Sequence, residues 1–176
     1  MSTAKSIYRT CVGFEEKAAW IYLKLASHFS SNPGLSTFWL EMGMQEKQHA
    51  GLLQFCLNEG LFARDLPKGD QITRIGRQLR DLEKRASDPK LTIEKAFALA
   101  IKMESSEINA IYSHLSTSGH SSTYLLKRRI ATYVPNHLQD LIDAARKFGI
   151  AEKTLERVSR MRHVYRQTDG LVGTHK

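Results

Sequence analysis

The sequence predicts an all-α fold: a four-helix bundle made of two antiparallel helical hairpins joined by a long crossover, with a short C-terminal helix. Three observations predict it. Apolar residues recur every third or fourth position over four long stretches, the period of a helix with one buried face. Segments rich in glycine, proline, serine and asparagine separate the stretches. Each apolar stripe is interrupted near its middle by a glutamate or a histidine, so the exceptions lie at one level of the bundle. The chain has 176 residues, enough for one domain with a sizeable core. Residues 1–149 form the expected bundle, and residues 150–176 a basic C-terminal helix and tail.

The first helix is expected from about Ala4 to Ser30, with the stripe Val12, Glu15, Ala19, Tyr22, Ala26, Phe29. Glu16 lies one residue round and can be solvated. Ser31–Asn32–Pro33–Gly34 reads as a breaker, and so short a loop makes the first two helices an antiparallel pair. Ser36 is the expected N-cap of the second helix, which ends near Asn58–Glu59–Gly60 with glycine past the end. Its stripe is Leu35, Trp39, Met42, Glu46, His49, Leu53, Cys56. Trp20 and Trp39 are read as packing residues.

Leu61 to Thr92 is the crossover. Leu66–Pro67–Lys68–Gly69–Asp70 is irregular, and Gln71 to Ala86 is a charged helix with a thin apolar face of Ile72, Ile75, Leu79 and Leu82. Ser87–Asp88–Pro89 stops it. The third long helix, Thr92 to Leu115, carries Ile93, Phe97, Ala100, Glu104, Glu107, Ile111 and Leu115 on one face. Ser116 to Ser122 is a loop. The fourth helix, Thr123 to Phe148, carries Ile130, Val134, His137, Leu141, Ala144 and Phe148 and ends at Gly149. Pro135 predicts a kink or an opened turn inside it.

The chemistry is concentrated in Met42 to Cys56. An unpaired carboxylate on a buried face costs several kcal/mol, so Glu46 and His49 require compensation. A cation held by both would supply it, and Glu-x-x-His is a spacing that four-helix bundles use for metal sites in their cores. A hydrogen-bonded polar pair is the simpler alternative. The spacing from Glu15 to His49 matches, within one residue, that from Glu104 to His137. Each half is therefore a helical hairpin with a glutamate on its first helix and a histidine on its second.

These residues carry a resemblance. F-E-E-K-A-A-W-I-Y-L-K-L-A in the first helix, Q-E-K-Q-H-A in the second and A-I-K-M-E-S-S-E-I-N-A-I-Y in the third resemble the rubrerythrin branch of the ferritin-like superfamily, over roughly residues 5–148. The resemblance implies a ferritin-like bundle with a di-iron carboxylate site. It would assign Glu15, Glu46 and His49 to one metal and Glu104 and His137 to the other, with Glu46 and Glu104 bridging. Glu107 would match an extra glutamate one turn after the third-helix ligand. It also implies a homodimer and oxidation of Fe(II) by dioxygen or hydrogen peroxide.

The chain departs from that pattern in two places. Val134 stands where the fourth helix should supply a glutamate three residues before His137, and Pro135 follows it. No CxxC pair is present to build a rubredoxin centre. Charge balance survives the first departure, because Glu15, Glu46, Glu104 and Glu107 match two divalent ions. Geometry does not, since Glu107 leaves the third helix. The expectation is an asymmetric site, better at Glu15/Glu46/His49 and poorer at Glu104/His137, holding two irons or one. Oxygen and nitrogen donors without thiolate suit iron, manganese or zinc.

Composition bounds the rest. The chain is 41% hydrophobic and 25% charged, with a formal charge of +8. No run of about 18 apolar residues predicts a membrane span. MSTAKSIYRT leads directly into an amphipathic stretch, so no signal peptide is expected. Cys11 and Cys56 have no paired spacing and are read as reduced thiols of a cytoplasmic protein. The tail carries Lys153, Arg157, Arg160, Arg162 and Arg166 beside an apolar row of Leu155, Val158 and Tyr165. It reads as a solvated basic helix rather than a nucleic-acid contact, since no DNA-binding motif accompanies it. Three functional classes follow, in this order: a di-iron oxidase or peroxidase, a degenerate ferritin-like interaction module with one metal or none, and a basic nucleic-acid-associated bundle.

Overall fold

The computed structural model describes residues 3–104, 111, 115 and 139–150, and they are helical apart from turns and short connections. Four helices follow in order: α1 (Thr3–His28), α2 (Pro33–Glu59), α3 (Gly69–Ala86) and α4 (Ile93–Glu104). Residues 111 and 115 are also helical and buried, as expected of the third stripe, and residues 139–147 are helical. None of the helices among the described residues is long and apolar enough to cross a membrane.

α1 and α2 are joined by a four-residue turn and pack antiparallel. α2 opens earlier than expected. Asn32, not Ser36, is its N-cap: Asn32 Oδ1 accepts from Leu35 N at 3.2 Å, and Pro33 follows at the start of the helix. Proline is tolerated there because the first-turn N–H groups have no helical acceptor anyway. Ser36 instead donates its hydroxyl to Ala26 O at 2.8 Å and ties the two helices together. At the other end Gly60 takes φ 68°, and Leu61 N donates to Cys56 O, a left-handed cap that glycine alone adopts without strain.

Small residues set the distance between these helices. A Cβ at Gly43 would lie 3.2 Å from Ala19 O and 3.3 Å from Tyr22 Cβ. Gly43 stands one turn before Glu46, and Ala19 one turn after Glu15, so this contact brings the polar level of α1 against that of α2. Gly43→Ala is expected to push the helices apart at a cost of about 1–3 kcal/mol. Thermal unfolding checks it.

α3 returns the chain beside α1, in the same direction. Gly76 packs on the Phe14 ring, Lys17 Nζ donates to Glu83 Oε2 at 2.8 Å, and Lys24 Nζ to Ser87 Oγ at 2.9 Å. Ile75, Leu79, Leu82 and Ala86 are buried, and Ile72 only partly. Lys17 holds the Glu83 carboxyl below its usual range. A lowered carboxyl stabilises the fold above its unfolded value of 4.5, and this is lost as pH falls below it. Both side chains are about one-third exposed, so solvent screens the pair. Glu83→Gln is therefore expected to cost only about 0.5 kcal/mol at pH 7, and to remove that increment of acid sensitivity in a urea titration at pH 4 and pH 7.

α4 runs back along α1: His28 Nε2 meets Leu91 O, Tyr22 meets Glu104, and Tyr8 Oη donates to Leu115 O at 2.8 Å. Tyr8 also accepts from Ala63 N at 2.9 Å, so one phenol fastens α1, the connection after α2, and the third stripe. Residues 139–148 run antiparallel to α2, with Gln45 donating to Asp140 at 3.2 Å and Phe148 near Gly34. Gly149, at φ 71°, ends them, with Ile150 N bonded to Ala145 O. Between these helices lies an aromatic core of Tyr22, Trp39, Phe97 and Phe148. Cys11 and Cys56 are buried free thiols, and burial pushes Cys11 up to about 12, which makes it a poor nucleophile. Val134, Pro135 and the tail after residue 150 lie outside the described residues.

Candidate metal centre

The polar level of the core is built by three helices. α1 supplies Glu15, α2 supplies Glu46 and His49 on successive turns of one face, and α4 supplies Glu104. Each is at most 3% exposed. They are the buried charged or strongly polar residues among those described, and all four were anticipated from the stripes.

Glu15, Glu46 and His49 converge. One ligand atom from each lies within 4.8 Å of the others. His49 Nδ1 donates to Glu46 Oε2 at 3.1 Å and stands 3.7 Å from Glu15 Oε2. The second separation is within ion-pair range but too long for a hydrogen bond. Glu15 Oε2 is fully buried and has no hydrogen-bond donor among the described residues. A buried carboxylate oxygen without a donor is what a cation would satisfy. The donor set of two carboxylates and an imidazole fits iron, manganese or zinc.

The electrostatics of the metal-free cluster follow from its burial. Burial raises the Glu15 carboxyl to about 8; the nearby His49 works against this and the Glu46 charge adds to it. For His49, burial acts to lower the imidazole, but the hydrogen bond to Glu46 and the nearby carboxyl groups of Glu15 and Glu46 outweigh it and raise it to about 10. Near pH 7 the cluster therefore retains protons that its members would lose in water. A cation entering it must displace them, which couples metal binding to pH.

Glu104 has a different partner. Tyr22 Oη donates to Glu104 Oε1 at 2.6 Å, a short charge-assisted bond in a dry setting. Burial, then the charges of Glu104 and Glu46, keep the phenol well above its ordinary range, so Tyr22 remains a donor at any physiological pH. Tyr22 in turn stacks on Trp39, with ring centroids 5.9 Å apart. The sequence marks Tyr22 as a stripe residue but gives no sign that it faces Glu104. That contact depends on the register of α4 against α1. Glu107 and His137, the other two expected ligands, lie outside the described residues. Among the described residues, the cluster of three or more ligand-type groups is Glu15, Glu46 and His49.

No protein-family model, curated protein or solved structure matches the chain. The functional reading accordingly rests on the residues and their geometry.

Proposed function

We propose that the chain is a ferritin-like metal-binding protein of the rubrerythrin type, which takes up iron at Glu15, Glu46 and His49 and oxidises Fe(II) with dioxygen or hydrogen peroxide, in iron handling or in defence against oxidative stress. The observation that carries this reading is the convergence of three buried ligand-type groups within 4.8 Å in the core of a helical protein. The helix packing supports it too: α1 and α2 bring Glu15, Glu46 and His49 together, and α4 brings Glu104 onto Tyr22 of α1.

Iron is the substrate in this reading. Two Fe(II) and two protons reduce one hydrogen peroxide to two waters and leave two Fe(III), so iron itself supplies the electrons. The chain's residues bind and orient. Glu15 and Glu46 contribute anionic oxygens that favour the ferric state. His49 gives a neutral nitrogen once its proton has left. Tyr22 holds Glu104 in place beside the cluster, and the aromatic core keeps bulk water out.

A second reading is a single-metal protein, or an interaction module on the same bundle. One observation favours it: the Glu104 carboxylate accepts from Tyr22 and is not among the three convergent groups. The two readings separate by iron content after anaerobic loading with Fe(II), followed by addition of peroxide. About two irons per chain, oxidised on mixing, support the di-iron oxidase. One iron points to the single site. No bound iron overturns both metal readings and leaves the interaction module.

A further inference from the structure

The outer face of α3 carries more positive charge than the carboxylates of that helix answer. Gly69–Ala86 holds Arg74, Arg77, Arg80, Lys84 and Arg85 against Asp70, Asp81 and Glu83. Each carboxylate already has a cation beside it. Asp70 lies 3.8 Å from Arg74, and Asp81 lies 3.8 Å from Arg85 and 3.6 Å from Lys102 of α4. Glu83 lies 2.8 Å from Lys17 and 3.9 Å from Lys24 of α1. Arg77, Arg80 and Lys84 are left over: all three are exposed, and no carboxylate among the described residues pairs with them. Their spacing of three and four residues sets them in one row, opposite the buried Ile75, Leu79 and Leu82. Arg80 and Lys84, one turn apart, repel each other, and an anion lying along the row would relieve this.

We propose that this row is a docking surface for duplex DNA, held through its phosphates without regard to sequence. Charge fits that occupant. The three unanswered cations span about 10 Å of helix, and a B-form duplex presents one negative charge per about 1.7 Å of its axis. Two of them are arginines, whose planar forks match pairs of phosphate oxygens. Composition fits it as well. The exposed large apolar side chains among the described residues are Trp20, Leu40, Met44 and Phe55, and all stand on α1 and α2. Protein interfaces are centred on apolar and aromatic side chains, and helices on membrane surfaces bury an apolar face. The α3 face has neither, whereas a DNA contact is polar and positively charged. Groove width decides between duplexes: the major groove of B-form DNA, about 12 Å wide, admits a helix such as α3, and the deep, narrow one of A-form RNA does not. The row is separate from the buried Glu15, Glu46 and His49 of α1 and α2, so the proposal does not rest on the iron reading.

Fluorescence anisotropy of a labelled DNA duplex of mixed sequence, titrated with the full chain in rising salt, tests this. Three phosphate contacts predict a slope of about −2.7 for log affinity against log salt, a loss of about fortyfold between about 50 and 200 mM. An unrelated duplex of the same length should bind equally. Arg77→Gln, Arg80→Gln and Lys84→Gln should each reduce the slope by about 1, with helical circular dichroism unchanged. The triple variant should lose the salt dependence and melt no lower than the wild type, because the repulsion along the row leaves with the charges. Arg157→Gln with Arg160→Gln, in the basic tail, should leave the slope unchanged. No binding at low salt overturns the proposal. So does a slope that the triple variant retains, a slope lost with the tail arginines instead, or equal affinity for double-stranded RNA.

Discussion

Glu46→Ala is expected to weaken iron binding by at least about a hundredfold. Losing a group that merely orients a ligand costs 10–100-fold in metal affinity, and in the proposed site Glu46 supplies a donor directly. It is also the anion closest to His49, at 3.1 Å. Without it, one carboxylate and the imidazole remain, too few donors to displace the water bound to a divalent ion. The fold should survive. The truncation leaves a small void and takes the hydrogen-bond partner from a buried imidazole, so it should lower stability by about 3–5 kcal/mol, the cost of breaking a buried pair. Isothermal titration with Fe(II) under nitrogen measures the affinity. Glu41→Ala, which removes an exposed carboxylate one turn and a residue earlier on α2, is the control and should leave it unchanged. Equal binding in the wild type and Glu46→Ala would remove the metal centre from this account.

The second large effect concerns pH, and its sign differs between the metal-free and loaded proteins. Glu15 goes from 4.5 in the unfolded chain to about 8 when folded, and His49 from 6.5 to about 10. Both are raised, so the folded chain holds protons that the unfolded chain has released. The stability they contribute is complete below about 4.5 and 6.5 and is lost as pH rises through 8 and 10. The metal-free protein should therefore unfold more easily at pH 8 than at pH 6. Metal binding removes the same protons and strengthens with pH, up to about tenfold per unit for each proton released. The rise in Tm produced by Fe(II) should accordingly grow from pH 6 to pH 8. Glu15→Leu separates the contributions. It replaces a desolvated carboxyl by a side chain of similar volume and should raise metal-free stability at pH 7 by about 1–4 kcal/mol, while flattening the pH dependence and weakening metal binding. Calorimetric scans at the two pH values, with and without Fe(II), read all of this.

Periodicity exposed the buried face of α2 completely. Leu35, Trp39, Met42, Glu46, His49, Leu53 and Cys56 are all buried. The reason is that α2 turns a single face to the core. α1 was less legible. Val12 and Phe29 are only partly buried, while Tyr8, Cys11, Ala18, Ile21 and Leu25 join the core. That helix contacts α2, α3 and α4, so its buried arc is wider than one stripe. Trp20 reads as packing by type, yet it is more than half exposed, because side-chain chemistry does not report which face a neighbour leaves open. The start of α2 was misread because Pro33 and Gly34 signal a break and a helix opening equally well. Of the candidate site, Glu15, Glu46 and His49 were legible as polar exceptions on apolar stripes. The Tyr22–Glu104 bond and the Gly43–Ala19 contact were not, because both depend on how far one helix slides along another.

All three convergent groups lie within the first hairpin of the chain. Closing that hairpin requires only a four-residue turn, and short loops close with the least loss of chain entropy. Glu104 reaches the same level only after the crossover has been laid down, through a contact 82 residues apart in sequence. Contacts between near neighbours in the chain form sooner than distant ones. A nascent chain extended through α2 already carries Glu15, Glu46 and His49. The order of synthesis thus favours assembly of the Glu15, Glu46 and His49 cluster before the helix that carries Glu104 closes over the core.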